Sequence, residues 1–224
     1  MISFLVTCKN ELVELTKLLP ILDEYIKREG YVDEIVILDD YSDGDTLSFI
    51  NNFMEGKSYV RHIQHALDSD FGANKTFGNS HCLKPYIFQI DADEYPTDFL
   101  LNNLKVVLET NKDIELFFVP RVNIVTKLTP EMVQHYGWRI STLQEFGDTP
   151  IVNFHDPQSR IYRNLPTIKW NRPLHETIVG AKIIAHLPSE AQWSLIHIKS
   201  AERQIKQNNR YNKNWSQSDN IRKS

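Results

Sequence analysis

The chain has 224 residues, of which 41% are hydrophobic and 24% charged, a make-up that excludes disordered and fibrous classes. No apolar stretch approaches the roughly 20 residues that span a bilayer. With 25 Lys and Arg against 29 Asp and Glu, the net charge is -4, which argues against tight nonspecific nucleic-acid binding.

Ile2–Thr7 is a short apolar run suited to a buried strand, and it reads as core rather than as a secretory leader. Glu11–Arg28 sets Leu12, Leu15, Leu19, Leu22 and Ile26 at helical spacing. Glu34–Leu38 is a second apolar strand and runs into Asp39-Asp40. After the Ser42-Asp43-Gly44 turn, Asp45–Met54 is expected to be a short helix. Tyr59–Ile63 is expected as a third strand, Gly72–Leu83 as a helix and Tyr86–Ile90 as the fourth strand. Asp98–Glu109 repeats the helical pattern with Leu101, Leu104 and Leu108, and Ile114–Val119 is a fifth strand. Repeated β-α units with near-continuous apolar strands predict a parallel sheet flanked on both faces by helices.

After Pro120 the rhythm changes. Residues 120–198 are richer in aromatics, His, Arg and Pro, with short strands expected at Arg160–Arg163, Lys182–His186 and Trp193–Ile198. They read as the acceptor-side half of one domain spanning residues 1–214, whose ligand-binding half is 1–119. Residues 199–214 form a basic helix, Ala201–Asn214, and 215–224 a polar tail expected to fray. From Lys199 onward, seven basic residues (Lys199, Arg203, Lys206, Arg210, Lys213, Arg222, Lys223) face only Glu202 and Asp219. Such a segment is either a solvated helix face or a contact for phosphates, anionic lipid heads or nucleic acid. Cys8 and Cys82 offer neither a disulfide framework nor a metal spacing, which suits a reducing, cytoplasmic setting.

The most informative segment is Asp91-Ala92-Asp93-Glu94, directly after the fourth strand. Two carboxylates two residues apart at a strand's end project into the cleft beyond it, where they can hold a divalent cation. Mg²⁺ and Mn²⁺ take oxygen ligands and share them between one or two carboxylates and a substrate's phosphates. The glycines never form GxGxxG or GxxxxGK[ST], which counts against dinucleotide-binding Rossmann enzymes and P-loop NTPases. If phosphates bind, a metal must carry most of their charge. Asp39-Asp40 also ends a strand, and in parallel sheets ligands bind beyond those ends.

Several segments in order resemble the inverting, family-two glycosyltransferases of the GT-A fold. Val6-Thr7-Cys8-Lys9-Asn10-Glu11 resembles that family's first strand and loop. Ile37-Leu38-Asp39-Asp40-Tyr41-Ser42-Asp43-Gly44 resembles its "VDDgStDgT" segment, and Ile90-Asp91-Ala92-Asp93-Glu94 its "DaDE" motif. Asp156-Pro157-Gln158-Ser159-Arg160-Ile161-Tyr162-Arg163 and Leu174-His175-Glu176-Thr177-Ile178 are similar to segments of the subgroup related to lipopolysaccharide core sugar transferases. The resemblance covers about residues 1–212. The chain departs from it at Tyr41, where a small residue is usual, and at Lys75 and Asn79, which stand where an Ala-Arg-Asn run is common.

The resemblance implies a Rossmann-like, mostly parallel sheet and a nucleotide-sugar site made by Thr7, Asn10, Glu11, Asp39, Lys75, Asn79, Asp91 and Ala92. Asp39 is implied as a contact for a uracil ring; alternatively it caps the Ser42–Gly44 turn, a role otherwise expected of Asp40. Glu11 lines the pocket or stabilises the following helix's N-terminus. Asp93 is expected to bind the metal, Mn²⁺ or Mg²⁺, and Asp91 to contact ribose or join it. His197 is similar to the family's histidine after the last strand, a third ligand or a structural residue.

Inverting transfer needs a carboxylate to deprotonate the acceptor hydroxyl while the metal stabilises the departing diphosphate. Glu176 is the favoured base, with His175 touching the acceptor; Asp156 is the other candidate. Either acid could instead be tied in a salt bridge, Glu176 to Arg172 or Arg160 and Asp156 to Arg160. Trp138, Trp170 and Tyr162 stack on sugar faces or are core. The expected activity is a metal-dependent, inverting hexosyl- or pentosyltransferase using a UDP-linked donor. Its acceptor would be a cell-surface glycan, lipopolysaccharide core or lipid-linked sugar, reached from the cytoplasm or peripherally at the inner membrane face. Transfer to hydroxylated bases of phage DNA, a nucleotidyltransferase activity and a catalytically silent sugar-binding module are the alternatives.

Overall fold

The computed structural model describes residues 1–214; the tail from Trp215 lies outside the described residues. The first half alternates as expected: β1 (Ile2–Cys8), α1 (Leu12–Arg28), β2 (Glu34–Asp39), α2 (Gly44–Met54), β3 (Val60–Gln64), α3 (Phe71–Asn79) and β4 (Tyr86–Asp91). Then follow β5 (Glu94–Pro96), α4 (Asp98–Thr110), β6 (Leu116–Val119) and β7 (Arg121–Thr126). The second half continues with α5 (Pro130–Tyr136), β8 (Ile140–Ser141), β9 (Ile151–Val152), β10 (Gln158–Arg163), β11 (Lys169–Asn171) and β12 (Thr177–Val179). It ends with β13 (Ile184–His186), β14 (Leu195–Ser200) and α6 (Ala201–Asn214). Helix α3 stops short of the expected Leu83 because turn hydrogen bonds from Ser80, His81 and Cys82 back to Phe77, Gly78 and Asn79 close it.

The main sheet has seven strands in the order β13-β6-β10-β4-β1-β2-β3. Strand β1 lies parallel to β2 from Ser3↔Glu34 to Cys8↔Asp39, and to β4 from Ile2↔Tyr86 to Thr7↔Asp91. Its apolar residues are buried on both faces, as continuous Val/Ile/Leu runs require. Helix α1 covers one face through Leu15, Leu18, Leu19, Leu22 and Ile26, all fully buried. Leu12, expected on that stripe, is only partly buried at the helix start. The chain moves from β1 through β2 to β3, then crosses back to place β4 on the other side of β1. The strand order therefore reverses between β1 and β4, where open sheets of this kind form their ligand crevice.

A second sheet, ordered β5-β14-β7-β9-β8, stands against that crevice. Strand β14 pairs antiparallel to β5, with His197 opposite Glu94, and parallel to β7, with His197 opposite Asn123. Strands β5 and β7 escaped the sequence because one is three residues long and the other alternates polar and apolar side chains beside a proline. Both cysteines are free and buried, and burial pushes each thiol up.

Candidate active site at the carboxyl edge of the sheet

Because Thr7 and Asp91 are register partners, β1 and β4 end side by side and the acidic tetrapeptide turns over at the sheet edge. The Ala92 amide donates to the Thr7 carbonyl at 3.2 Å. The Asp91 amide donates to Glu94 Oε2 at 3.1 Å, so Glu94 closes the turn from below. Glu94 is fully buried, and its Oε1 accepts from Arg121 at 2.9 Å and Arg160 at 2.6 Å. Its role is structural, and the tetrapeptide divides into one buried acid and two that face the crevice.

Asp91 Oδ1 accepts from Thr7 Oγ1 and Gln89 Nε2, both at 2.9 Å, and lies 3.2 Å from Lys75 Nζ. Its Oδ2 accepts from Arg160 at 2.6 Å. Burial opposes ionisation of Asp91, but Arg160 and then Lys75 outweigh it and hold the carboxyl well below the usual range. Arg160 reaches this position because β10 slips register against β6 between Ser159 and Ile161, a bulge that re-aims the intervening side chain. Arg160→Met would leave Asp91 and Glu94 without their shared cation. Loss of one partner from a buried charge network costs about 3–5 kcal/mol, and denaturant unfolding is expected to read a loss of that size.

Asp93 meets the second sheet. Its Oδ2 lies 3.3 Å from His197 Nε2, 3.5 Å from Arg203 and 3.9 Å from Lys199 Nζ. Burial again opposes its ionisation, and the His197 contact leads the interactions that lower it. Among the described residues no three His, Cys, Asp or Glu side chains gather to hold a metal ion. Asp91, expected as a ligand, is instead turned toward Arg160, Lys75, Gln89 and Thr7. Asp93 and His197 do come together. Adjacent ligands of an octahedral ion with bonds of about 2.1 Å stand roughly 3 Å apart, close to the 3.3 Å observed. The pair fits as two protein ligands of a hard cation whose other positions are filled by substrate phosphates and water.

The loops after β1 and β2 form the opposite wall. Asn10, with φ of 53°, donates from its amide to Ser42 Oγ at 2.8 Å and accepts from the Asp43 amide at 3.0 Å. Asn tolerates this left-handed geometry better than most residues. Asp39 is fully buried; it accepts from the Ser42 amide at 2.9 Å and contacts His62 Nε2 at 3.1 Å and Gln64 Nε2 at 3.3 Å. The turn cap is therefore Asp39. Asp40, expected in that role, instead takes the Leu67 amide and Lys9 Nζ, both at 3.0 Å. Glu11 occupies the N-cap position of α1, but its side chain makes no capping hydrogen bond. Its carboxylate reaches Arg203 of α6, which also holds Glu14. Burial and the nearby Asp93 push the Glu11 carboxyl up to about 8, against Arg203.

On the remaining side, the loop joining β11 to β12 carries His175 and Glu176. Its fixing point is α3: the Phe71 amide donates to the Pro173 carbonyl at 3.0 Å and the Gly72 amide to the Arg172 carbonyl at 3.2 Å. A Cβ on Gly72 would stand 2.6 Å from that carbonyl oxygen, so Gly72→Ala must push the loop away. Overpacking of this kind costs about 1–3 kcal/mol. The expected result is a lower melting temperature together with turnover reduced beyond the loss of folded protein.

Glu176 Oε1 accepts from Lys75 Nζ at 2.5 Å, and Lys75, nearly buried, also lies over the Trp170 ring at 4.7 Å. The lysine thus bridges Glu176 to Asp91, and neither Arg172 nor Arg160 is the ion-pair partner of Glu176. The His175 ring meets the edge of Tyr211 from α6. Asp156, the other candidate base, is bound on one oxygen by Arg121 at 2.7 and 3.0 Å and Asn123 at 2.8 Å, and on the other by Gln158 at 3.0 Å. It pairs with Arg121 rather than with Arg160 and so braces two side chains of β7.

The structure thus links Thr7, Asp91, Lys75 and Glu176 in one chain of contacts and His197, Asp93, Arg203 and Glu11 in another at the carboxyl ends of β1 and β4, with Asn10, Ala92 and His175 adjacent in sequence. It does not bring Asn79 there: at the far end of α3, Asn79 accepts from the Tyr162 hydroxyl at 2.8 Å. Tyr162 and Trp170 are core, the indole donating to the phenol at 2.9 Å, and Trp138 packs half-buried near Val125 and Val152. Sequence reasoning missed Arg121, Asn123, Arg160, Lys199 and Arg203 as components. Two cations of the basic C-terminal segment, Lys199 and Arg203, turn inward: both approach Asp93, and Arg203 also pairs with Glu11 and Glu14. No described helix is long and apolar enough to cross a membrane.

The glycosyl transferase family 2 model matches residues 3–172. Among solved structures, the chain superposes on S. aureus TarS 1-349 with a TM-score of 0.59 at 16% identity, covering 88% of this chain and 60% of that one. It superposes on the same protein in complex with UDP-GlcNAc at 0.61 and 16% identity, covering 88% and 58%. For the complex with UDP the values are 0.60 and 14%, covering 92% and 62%. The chain spans about three fifths of the length of these structures. They share its α/β architecture, a central mostly parallel sheet flanked by helices, which is the GT-A fold expected from the motifs.

Proposed function

The chain belongs to glycosyl transferase family 2, and on that premise we propose that it moves one sugar from a UDP-linked donor to a hydroxyl acceptor with inversion, using a divalent cation. The observation that carries the reading is the convergence of Asp93 and His197, 3.3 Å apart, at the point where strand order reverses. A cation held by Asp93 and His197 would offset the charge that develops on the departing diphosphate. Mn²⁺ and Mg²⁺ both suit a carboxylate, an imidazole and phosphate oxygens. The loops carrying Asn10, Glu11 and Asp39 would receive the nucleoside, with Asp39 acting through the turn it caps. Binding of UDP-GlcNAc and of UDP by TarS supports a uridine donor.

Glu176 would take the proton from the acceptor hydroxyl as its oxygen attacks the anomeric carbon opposite the diphosphate, which inverts that carbon. Lys75 orients Glu176 and ties it to Asp91, while the Asp156 oxygens are held by Arg121, Asn123 and Gln158. A glycan or lipid-linked sugar is the favoured acceptor, such as a lipopolysaccharide core sugar at the inner membrane face. The inward turn of Lys199 and Arg203 removes much of the motivation for a nucleic-acid acceptor. A panel of nucleotide-sugars tested for Mn²⁺-dependent binding and hydrolysis should single out one UDP-sugar, with EDTA abolishing the signal. Diphosphate release from a nucleoside triphosphate and a sugar phosphate would instead establish a nucleotidyltransferase. Glucosylation of hydroxymethylated DNA but not of glycans would move the acceptor to nucleic acid.

A further inference from the structure

Asn123 lies opposite His197 in the parallel pairing of β7 with β14. Its Nδ2 donates to Asp156 Oδ2 at 2.8 Å and to the Val152 carbonyl at 3.3 Å. Both partners are acceptors, so the amide group has one orientation; turning it over would set its oxygen against a carboxylate and a carbonyl. The Asn123 oxygen is thereby fixed toward the ring, 2.8 Å from His197 Nδ1. An amide oxygen only accepts, so the ring hydrogen belongs on Nδ1. In the neutral ring Nε2 then carries a lone pair, and that nitrogen faces Asp93 Oδ2 at 3.3 Å. Two acceptors at this distance repel unless a second ring proton or a metal cation lies between them.

We infer that Asn123 is a positioning residue for the divalent cation: it locks His197 in the tautomer that presents Nε2 toward Asp93. The opposite tautomer would place a hydrogen between Nε2 and the carboxylate and close the site to metal. Asp156, held by Arg121, acts one step further back by fixing the Asn123 amide. The inference rests on the metal-dependent reading above and concerns how the histidine is made ready for metal, not which sugar is moved.

Two readouts test it on the whole chain. In metal-free wild-type protein, at a pH above the ordinary histidine value, ring ¹H–¹⁵N correlation spectra should show the His197 hydrogen on Nδ1. Mn²⁺ titrations in the presence of UDP, followed by the electron paramagnetic resonance of free Mn²⁺, should show Asn123→Ala binding roughly 10- to 100-fold more weakly than wild type, the usual effect of removing such an outer partner. A His197 hydrogen found on Nε2 in the wild type overturns the inference, even if Asn123→Ala fails to fold. Equal Mn²⁺ affinity in the variant and wild type also overturns it while leaving the metal-dependent reading intact. Failure of the wild type and of His197→Ala alike to bind Mn²⁺ sinks that reading, and this inference with it.

Discussion

Asp93→Ala is expected to remove Mn²⁺-dependent donor binding and to lower kcat/KM about a thousandfold. A catalytic cation supplies several kcal/mol of charge stabilisation, and each 1.36 kcal/mol is worth a factor of ten. His197, Lys199 and Arg203 all approach the Asp93 carboxylate, so its loss strips the cation of an anionic ligand and takes away the charge that Lys199 and Arg203 share there. Asp93→Asn is the gentler companion, since it keeps the shape while removing the charge. The informative control is Asp91→Asn. Asp91 is engaged by Arg160, Lys75, Gln89 and Thr7, so this variant should lose stability while retaining most Mn²⁺ affinity. Equal loss of Mn²⁺ affinity in both variants would return Asp91 to the metal. Unchanged Mn²⁺ dependence in Asp93→Ala would refute the assignment.

What the sequence made legible follows the physics of each segment. Strands β1, β2 and β4 are buried on both faces and so announce themselves as apolar runs, and the acidic turn follows β4 directly. These carried the sheet, the crevice and the acids on its donor side. The second sheet was largely illegible because its strands are two to six residues long and its residues matter through cross-strand partners. Nothing local marks Asn123 as the neighbour of His197, which lies 74 positions away. Charge pairing was the other limit. Spacing suggested that Arg160 would hold Asp156 or Glu176, whereas the bulge in β10 aims it at Asp91 and Glu94. Likewise, composition could not foresee that two cations of the C-terminal segment would neutralise Asp93 and Glu11 rather than face a partner.

The second large effect concerns proton removal. Glu176→Gln should leave donor and Mn²⁺ binding little changed and lower kcat by about 10²- to 10⁴-fold, the usual contribution of a positioned general base. The substitution preserves the side chain's length and leaves an amide oxygen able to accept from Lys75, so the loop fixed through Gly72 has no reason to move. Asp156→Asn separates the alternatives. Its carboxylate serves Arg121, Asn123 and Gln158, so the variant should melt earlier, yet turn over per folded molecule far faster than Glu176→Gln. Near-normal kcat in Glu176→Gln with collapse in Asp156→Asn would reassign the base to Asp156. Loss of donor affinity in Glu176→Gln would make Glu176 a donor contact acting through Lys75 and Asp91. Lys75 lies between Asp91 and Glu176, so its loss should disturb both ends of the crevice at once, and only the Glu176 variant should separate proton transfer from donor binding.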